Sequence, residues 1–444
     1  MNDSSTILSI LTPLGLRPFL DAELSAIHRK LSNAISIGTQ RASEPTTLDG
    51  GVLGVRTSTH QISPKDFDKI PVGSSVISCA YAGTNWITTL VSKTKEGELK
   101  TDTEKLTEIQ ESERSCTYNE LCKRMADEII QLAEETDISN TTILAISFGF
   151  PHSNVSTSYG IDAQITSRGL TKHWEIIDLE SYESFEPLGK TILSLLKNHD
   201  KTKHLSYIYI LNDTNAVSHF RTSSTENQLP VGFVFGTGVN ASLGEYNLEI
   251  GKVLLPEDIA NSDKIHSETE NLRLLPSNDD RDVIENWIGG DFLKDKVAGA
   301  LSLLEKKQQI PQGLGMWFAE TKNHSLVSDY AQGGICTVAN HIQVSEREAS
   351  VLCEIITNIS SITLIRASQL IATIIASVIQ HHTKTPSQFS IPIEGSVFWK
   401  GYKVKEITQD TLGMLLPNTT VNPIEASGIL GIATYALAKH SPKS

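Results

Sequence analysis

The sequence has few cysteines, and their spacing suits neither metal binding nor a disulfide scaffold. Its 444 residues include an odd number of them, with no C-x-x-C pair: Cys79, Cys116, Cys122, Cys336 and Cys353. The 13 histidines likewise form no H-x-x-x-H or H-E pair. These absences argue against a zinc site and a small disulfide-stapled fold, and they predict reduced thiols in a cytoplasmic protein.

Positive charge and long apolar segments are also scarce. Lys and Arg number 38 against 52 Asp and Glu, a net charge of −14, so nucleic acid is not the expected partner. The N-terminus lacks the basic start of a secretory signal. The most apolar run, residues 361–380, contains Arg366, which favours a buried helix over a membrane span.

Short apolar runs alternate with helical patterns along the chain. The length suits two domains, and the alternation predicts an α/β fold. Predicted strands lie at residues 75–80, 86–91, 142–150, 206–211, 230–235 and 389–397. Predicted helices lie at residues 18–34 and 117–136, from about 340 to the strand at 389, and after 422, while 35–70 and 92–115 are predicted as loop or solvated hairpin edge.

Two turn motifs follow predicted strands in the middle of the chain. Residues 236–240 read Gly-Thr-Gly-Val-Asn, and such glycines let backbone N–H groups approach a phosphate, although a plain β-turn fits equally. Asn212 and Asp213 end the strand at 206–211. An aspartate there is placed to act as a general base, but both residues are also good helix N-caps.

Two similar motifs lie near the C-terminus. Residues 394–397 read Glu-Gly-Ser-Val, and residues 426–431 read Ala-Ser-Gly-Ile-Leu-Gly at the start of the last helix. Each would hold a nucleotide by close backbone approach or a helix terminus, and each is equally compatible with ordinary capping.

Taken in order, these motifs resemble the hexokinase family over roughly residues 13–440. Four further segments look like family elements: SVISCAYAGTNW, the first phosphate hairpin; AISFGFP, a sugar-loop strand; IENWIGGDFL, which carries a sugar-binding glutamate; and LIRASQLIA, a core helix. The resemblance implies the two-lobed actin-like ATPase (ribonuclease H-like) fold. Its small-domain region would span 13–210, including the N-terminal helix, and its large-domain region 211–440.

The resemblance also implies roles for individual residues. Asp213 matches the catalytic base that accepts a proton while the γ-phosphoryl of Mg-ATP passes to a sugar 6-hydroxyl. Matches to sugar-binding positions are Ser167, Arg168, Asn212, Glu268 and Glu285. Matches to nucleotide-binding positions are Gly83, Thr84, Asn85, Gly236, Thr237, Gly238, Asn240, Gly395, Ser396, Ser427 and Gly428.

The sequence departs from the family pattern at several of these motifs. The first hairpin has Ala80 where the family has an Asp that helps to hold Mg²⁺ through water, and Ile87 where it has a phosphate-binding Arg. Neither side chain can replace those interactions. Gly149 replaces a Ser of the sugar loop, Ser167-Arg168 replaces Thr-Lys, and His266 replaces the Asn that precedes the glutamate at 268.

Two functions remain open on these residues. The chain is similar to a divergent fungal branch that includes N-acetylglucosamine kinases, which implies an ATP-dependent kinase for a hexose or N-acetylhexosamine. The alternative is a sugar sensor or regulator with impaired catalysis, which Ala80 and Ile87 favour. The expected partners are a sugar and Mg-ATP, with no resident metal, and the expected oligomeric state is a monomer or homodimer.

Overall fold

The computed structural model describes most of the chain as two β-sheets with helices packed on their faces. The described residues are 11, 15–40, 55–56, 62–82, 85–150, 152–166, 174–178, 185–222, 227–262, 283–321, 323, 325–333, 338, 341–383 and 387–441. The strands are β1 Val55–Arg56, β2 Ser75–Ala82, β3 Asn85–Lys93, β4 Leu99–Glu108, β5 Ser115–Cys116, β6 Ile143–Phe148, β7 His152–Thr157, β8 Gly160–Ile165, β9 Glu175–Ile176, β10 Tyr207–Leu211, β11 Val231–Phe235, β12 Val239–Leu243, β13 Tyr246–Asn247, β14 Gln388–Glu394 and β15 Thr420–Glu425. The helices are α1 Asp21–Gln40, α2 Pro64–Asp68, α3 Tyr118–Glu135, α4 Leu188–Leu196, α5 Asp213–Ser218, α6 Glu257–Ser262, α7 Glu285–Ile288, α8 Gly290–Lys306, α9 Leu314–Glu320, α10 Leu326–Ala331, α11 Glu346–His382, α12 Ser396–Lys400, α13 Val404–Leu415 and α14 Gly428–His440.

The first sheet has the strand order β4-β3-β2-β6-β10-β8-β7. Its central strands β2, β6, β10 and β8 are parallel, while β3 pairs antiparallel with β2 and β7 pairs antiparallel with β8. The central strands are apolar because both faces are covered. Helices α3 and α4 cover one face, and α14 covers the other. The carboxyl ends of β6 and β10 therefore share one edge of the sheet.

The second sheet has the strand order β1-β13-β12-β11-β14-β15. Strands β11, β14 and β15 are parallel, and β12 forms an antiparallel hairpin with β11. The largest apolar core of the protein joins this sheet to α1, α8 and α11. Helix α11 is long and apolar enough to cross a membrane, but 89% of its most apolar window is buried inside the protein. The predicted buried helix is confirmed.

Packing at the two ends of the chain crosses the predicted division at residue 210. Helix α1 lies on α11, where the Phe19 N–H donates to Gln369 Oε1 at 2.9 Å. Helix α14 lies on the first sheet, where Ser78 Oγ donates to the carbonyl of Ile429 at 2.7 Å. The division into 13–210 and 211–440 stays a prediction.

The predicted hairpin, the α3 helix and the strands at β6, β10, β11 and β14 are confirmed. Two predictions were wrong in part. Within the segment 35–70 predicted as loop, residues 35–40 continue α1, residues 55–56 form β1 and residues 64–68 form α2. The segment after 422 is still the strand β15 before α14 begins. Strand β15 contains Pro423 and lies at a sheet edge, where proline is tolerated.

Among the described cysteines, Cys79, Cys116 and Cys122 are buried free thiols. Burial raises the pKa of Cys79 and of Cys122 to about 12, so both are unreactive at neutral pH. Cys353 in α11 is disulfide-bonded. The expectation of uniformly reduced thiols therefore fails at that position.

Candidate active site

Asp213 lies where the central strand β10 ends and α5 begins. Asn212 is the N-cap, and its Oδ1 accepts from the N–H and hydroxyl of Thr214 at 3.1 and 2.8 Å. The predicted helix cap is therefore confirmed at Asn212. The cap uses the side-chain oxygen of Asn212 and not its amide nitrogen. Asp213 is half-buried, and its Oδ1 accepts from the Thr214 N–H at 2.7 Å. Both side chains are fixed at the carboxyl edge of the parallel strands, where α/β proteins bind ligands.

The glycine loop at residues 236–238 closes the hairpin between β11 and β12. The Gly236 N–H donates to the carbonyl of Gly238 at 3.1 Å, and the Gly290 N–H donates to the carbonyl of Gly236 at 2.8 Å. Thr237 lies between them, half-buried. This loop therefore rests on the start of α8, which keeps its backbone in one place.

Glu285 comes to the same loop from α7. Its Oε1 accepts from the Val239 N–H at 3.1 Å, and a Cβ added at Gly238 would lie 2.7 Å from that oxygen. The predicted sugar-binding carboxylate therefore touches the predicted phosphate loop. Asn240 instead turns to β13, where its Nδ2 donates to Asn247 Oδ1 at 2.9 Å.

The turn that carries Glu285 is held by stacked cations and aromatic rings. Lys296 Nζ lies 4.1 Å from the Trp287 ring centroid, and the Arg366 guanidinium carbon lies 4.7 Å from it. Arg366 is also 4.6 Å from the ring of Phe19. Such contacts between a cation and an aromatic ring are strongest when desolvated. The Arg of the predicted core helix thus contributes to the position of α7.

Gly395 places a second glycine turn against the first. Its φ of 123° suits glycine alone, and an added Cβ would clash with the carbonyl of Phe235. An added Cβ at Gly236 would lie 3.6 Å from the Gly395 Cα. The two turns follow adjacent parallel strands, β11 and β14, and Ser396 beside them is exposed.

A third glycine, Gly428, lies at the start of α14 where four strand and helix ends converge. Its N–H donates to Glu394 Oε2 at 3.3 Å. A Cβ added there would lie 3.1 Å from Ser147 Oγ and 3.8 Å from the carbonyl of Asp213. The N-cap residue Ser427 makes no side-chain capping bond. Glycine leaves room at this point for a ligand between the two sheets.

Glu394 begins the Glu-Gly-Ser-Val motif, and the sequence alone assigns it no role of its own. It ends β14 as Asp213 follows β10, and that shared position at a strand end was the available signal. Loss of hydration on burial, together with the negative charge of Asp213, raises the pKa of Glu394 to about 7, against the Gly428 N–H bond that lowers it. The site therefore holds two neighbouring carboxyl groups.

The first hairpin forms as predicted, but its charged positions are apolar. Ala80 is the direct cross-strand partner of Ile87, and both side chains pack against the cluster that includes residues of α14. On its other side Ala80 is in register with Ser147 of β6. Asn85 begins β3 and is exposed. The predicted residues Gly83, Thr84, Ser167, Arg168 and Glu268 lie outside the described residues.

If Glu285 binds a sugar as the sequence resemblance implies, Gly238→Ala is expected to weaken sugar binding without unfolding the protein. Its φ is not positive, so alanine fits the backbone, but the added methyl forces the Glu285 carboxylate to move. We expect the KM for the sugar to rise about tenfold with a nearly unchanged melting temperature, because one charged hydrogen bond of about 1.5 kcal/mol is disturbed. Gly413→Ala, where no atom lies within 4 Å of the new methyl, is the matched control. An unchanged KM would exclude a sugar contact for Glu285.

Comparison with known proteins finds a similar sequence family and similar folds. Residues 277–438 match the family described as Hexokinase. None of the curated protein sequences matches the chain. Hexokinase from Schistosoma mansoni complexed with glucose is 15% identical with a TM-score of 0.71, and 98% of each chain is covered. A second hexokinase crystal structure is 14% identical with a TM-score of 0.70, covering 98% of this chain and 99% of the other.

Proposed function

Given that the chain has the hexokinase fold and, over residues 277–438, the hexokinase sequence pattern, we propose that it phosphorylates a hexose or N-acetylhexosamine at the 6-hydroxyl with ATP. The observation that carries the proposal is the position of Asp213. Its carboxyl group follows the central strand β10, and its own carbonyl lies beside the glycine at the start of α14. Sugar and nucleotide would therefore meet at this residue.

In this mechanism Asp213 acts as the general base. The 6-hydroxyl oxygen attacks the γ-phosphorus and its proton passes to the Asp213 carboxylate, while the bond from the γ-phosphorus to the bridging oxygen breaks and ADP leaves. Asn212 and Glu285 would orient the sugar by hydrogen bonds to its other hydroxyls. Their positions are set by the N-cap of α5 and by the Val239 N–H.

The glycine turns fit the second substrate, ATP with its magnesium ion. Side chains are excluded at Gly395 by backbone clash, and Gly236 lies against it, so a phosphate can approach bare backbone there. Helix α14 adds a helix N-terminus whose N-cap residue Ser427 makes no side-chain capping bond, and such a terminus favours anions. Magnesium, when bound with ATP, neutralises charge on the phosphates. Asn85, Ser396 and Asn240 keep their predicted nucleotide roles as part of this proposal.

A specific observation also favours a second function, a sugar sensor with impaired transfer. Ala80 and Ile87 form an apolar pair where the family has charged groups for Mg²⁺ and phosphate. A sensor would be stabilised against heat by sugar but hardly by Mg-ATP. Cytoplasmic location belongs to both proposals.

The experiment that tests the kinase proposal is a coupled assay for ADP release with glucose, mannose, fructose and N-acetylglucosamine. We expect sugar-dependent turnover with at least one of them, and no signal from Asp213→Ala, which controls for a contaminating kinase. Absence of turnover at high enzyme and Mg-ATP, combined with sugar-dependent thermal stabilisation, would instead establish the sensor.

A further inference from the structure

We propose that Glu394 supplies the carboxylate that positions the magnesium ion of the nucleotide, in place of the hairpin aspartate that is Ala80 in this chain. The inference rests on the proposed use of Mg-ATP. It goes beyond that function because it assigns the missing acidic group to another strand, in the other sheet. Three observations carry it.

The first observation is that Ala80 and Glu394 face the same place. Ala80 is in register with Ser147 on the adjacent parallel strand, so their side chains project from the same face of the sheet. Ser147 Oγ lies 3.1 Å from the Cβ position of Gly428, and Glu394 Oε2 lies 3.2 Å from that same position. The Glu394 carboxylate of β14 thus reaches the region beside Ala80, where the family has an aspartate.

The second observation is the Ser147 hydroxyl, which is directed into this space. The Ser147 residue is only 4% exposed, and its Oγ lies 3.1 Å from the Cβ position of Gly428. A hydroxyl both donates and accepts hydrogen bonds. It can therefore hold one of the ordered water molecules that a hydrated Mg²⁺ carries.

The third observation is the charge balance. Glu394 Oε2 lies 3.2 Å and the carbonyl of Asp213 lies 3.8 Å from the Cβ position of Gly428, so two acidic residues meet at this glycine. A divalent cation beside them would balance their negative charges. Oxygen ligands of this kind are what Mg²⁺ prefers, often through water. Lys or Arg would serve equally to neutralise the pair, but Ala80 and Ile87 leave the facing hairpin positions without charge.

The test measures nucleotide binding rather than catalysis. Titration calorimetry of ADP is performed with excess Mg²⁺ and with EDTA on the full chain. We expect the wild type to bind ADP more tightly with Mg²⁺, and Glu394→Gln, which keeps an acceptor for the Gly428 N–H, to lose about tenfold or more of that preference. Ala80→Asp in the Glu394→Gln background should restore it. Glu394→Asp, which keeps the charge, should retain part of it.

The matched control is Glu425→Gln, since Glu425 ends the neighbouring strand β15 but is exposed. It should leave the preference for Mg²⁺ unchanged. Wild type that binds no ADP, or binds it equally with and without Mg²⁺, would overturn the proposed function itself. The role of Glu394 alone would be overturned if the wild type prefers Mg²⁺ and Glu394→Gln keeps the same preference. It would also be overturned if Glu394→Gln lost the same amount of ADP affinity with Mg²⁺ as with EDTA.

Discussion

Replacing Asp213 by Asn is expected to lower the kcat of sugar phosphorylation by about 10²–10⁴-fold, the range typical of a lost general base. The amide cannot accept the proton of the 6-hydroxyl. Its oxygen can still accept from the Thr214 N–H, as Asp213 Oδ1 does at 2.7 Å, so α5 should begin normally. The KM for the sugar should change only a few-fold, because Asn212 and Glu285 are untouched.

The control for this prediction is Asp137→Asn on the loop after α3. Asp137 Oδ1 also accepts from a nearby backbone N–H, that of Ser139 at 3.0 Å, yet the residue lies outside the proposed site. We expect its kcat to equal that of the wild type. If Asp213→Asn retained wild-type turnover, the proton would have to pass to another group, and the proposed mechanism would be wrong.

Much of the fold was predictable because its signals are local. A few consecutive residues are enough to predict the Gly-turn between β2 and β3 and the apolar strands β6, β10 and β11. The position of Asp213 directly after a buried strand was predictable for the same reason, while its role as a base comes from the family resemblance and stays a prediction. The hexokinase resemblance stated from the sequence is confirmed by the family match over residues 277–438 and by the fold.

The convergence at Gly428 was not predictable, because it depends on tertiary contacts. Ser147, Asp213, Glu394 and Gly428 are separated by between 34 and 281 positions in the chain, and no spacing rule links them. Glu394 was read as part of a Gly-Ser turn because its neighbours carry that pattern. Strand β15 was missed since Pro423 argues against a strand unless its edge position is known.

The structure also explains how the hairpin tolerates the loss of two charges. If the aspartate at position 80 were replaced by alanine while an arginine stayed at position 87, that arginine would lie opposite an apolar side chain and would have lost its carboxylate partner. With Ile87 present, the pair joins the apolar cluster below α14. Glu394 then supplies the carboxylate that the hairpin lacks. When it is ionised, the buried charge of Glu394 destabilises the folded protein.

Glu394→Gln is therefore expected to stabilise the protein at high pH while it impairs Mg²⁺-dependent binding. The folded-state pKa of Glu394, about 7, exceeds the ordinary value of 4.5, so the folded protein holds this proton more tightly than the unfolded chain does. The resulting stability is fully present below pH 4.5 and is lost as the pH rises through 7. Glutamine carries no charge at any pH and avoids the loss.

The gain of Glu394→Gln over wild type should be near zero at pH 4.5 and reach about 2 kcal/mol at pH 8. Full conversion of the shift gives roughly 3 kcal/mol, and solvent contact of the half-buried side chain reduces it. Urea unfolding midpoints at several pH values measure this difference, with Glu425→Gln, an exposed position at the end of the neighbouring strand, as the control. A gain independent of pH would mean that Glu394 is destabilising through its shape rather than its charge. We expect the stability gain to grow between pH 4.5 and 7 and the preference for Mg-ADP to be lost in the same variant. Together these results would identify Glu394 as a carboxylate that lowers the stability of the fold and contributes to nucleotide binding, as functional residues often do.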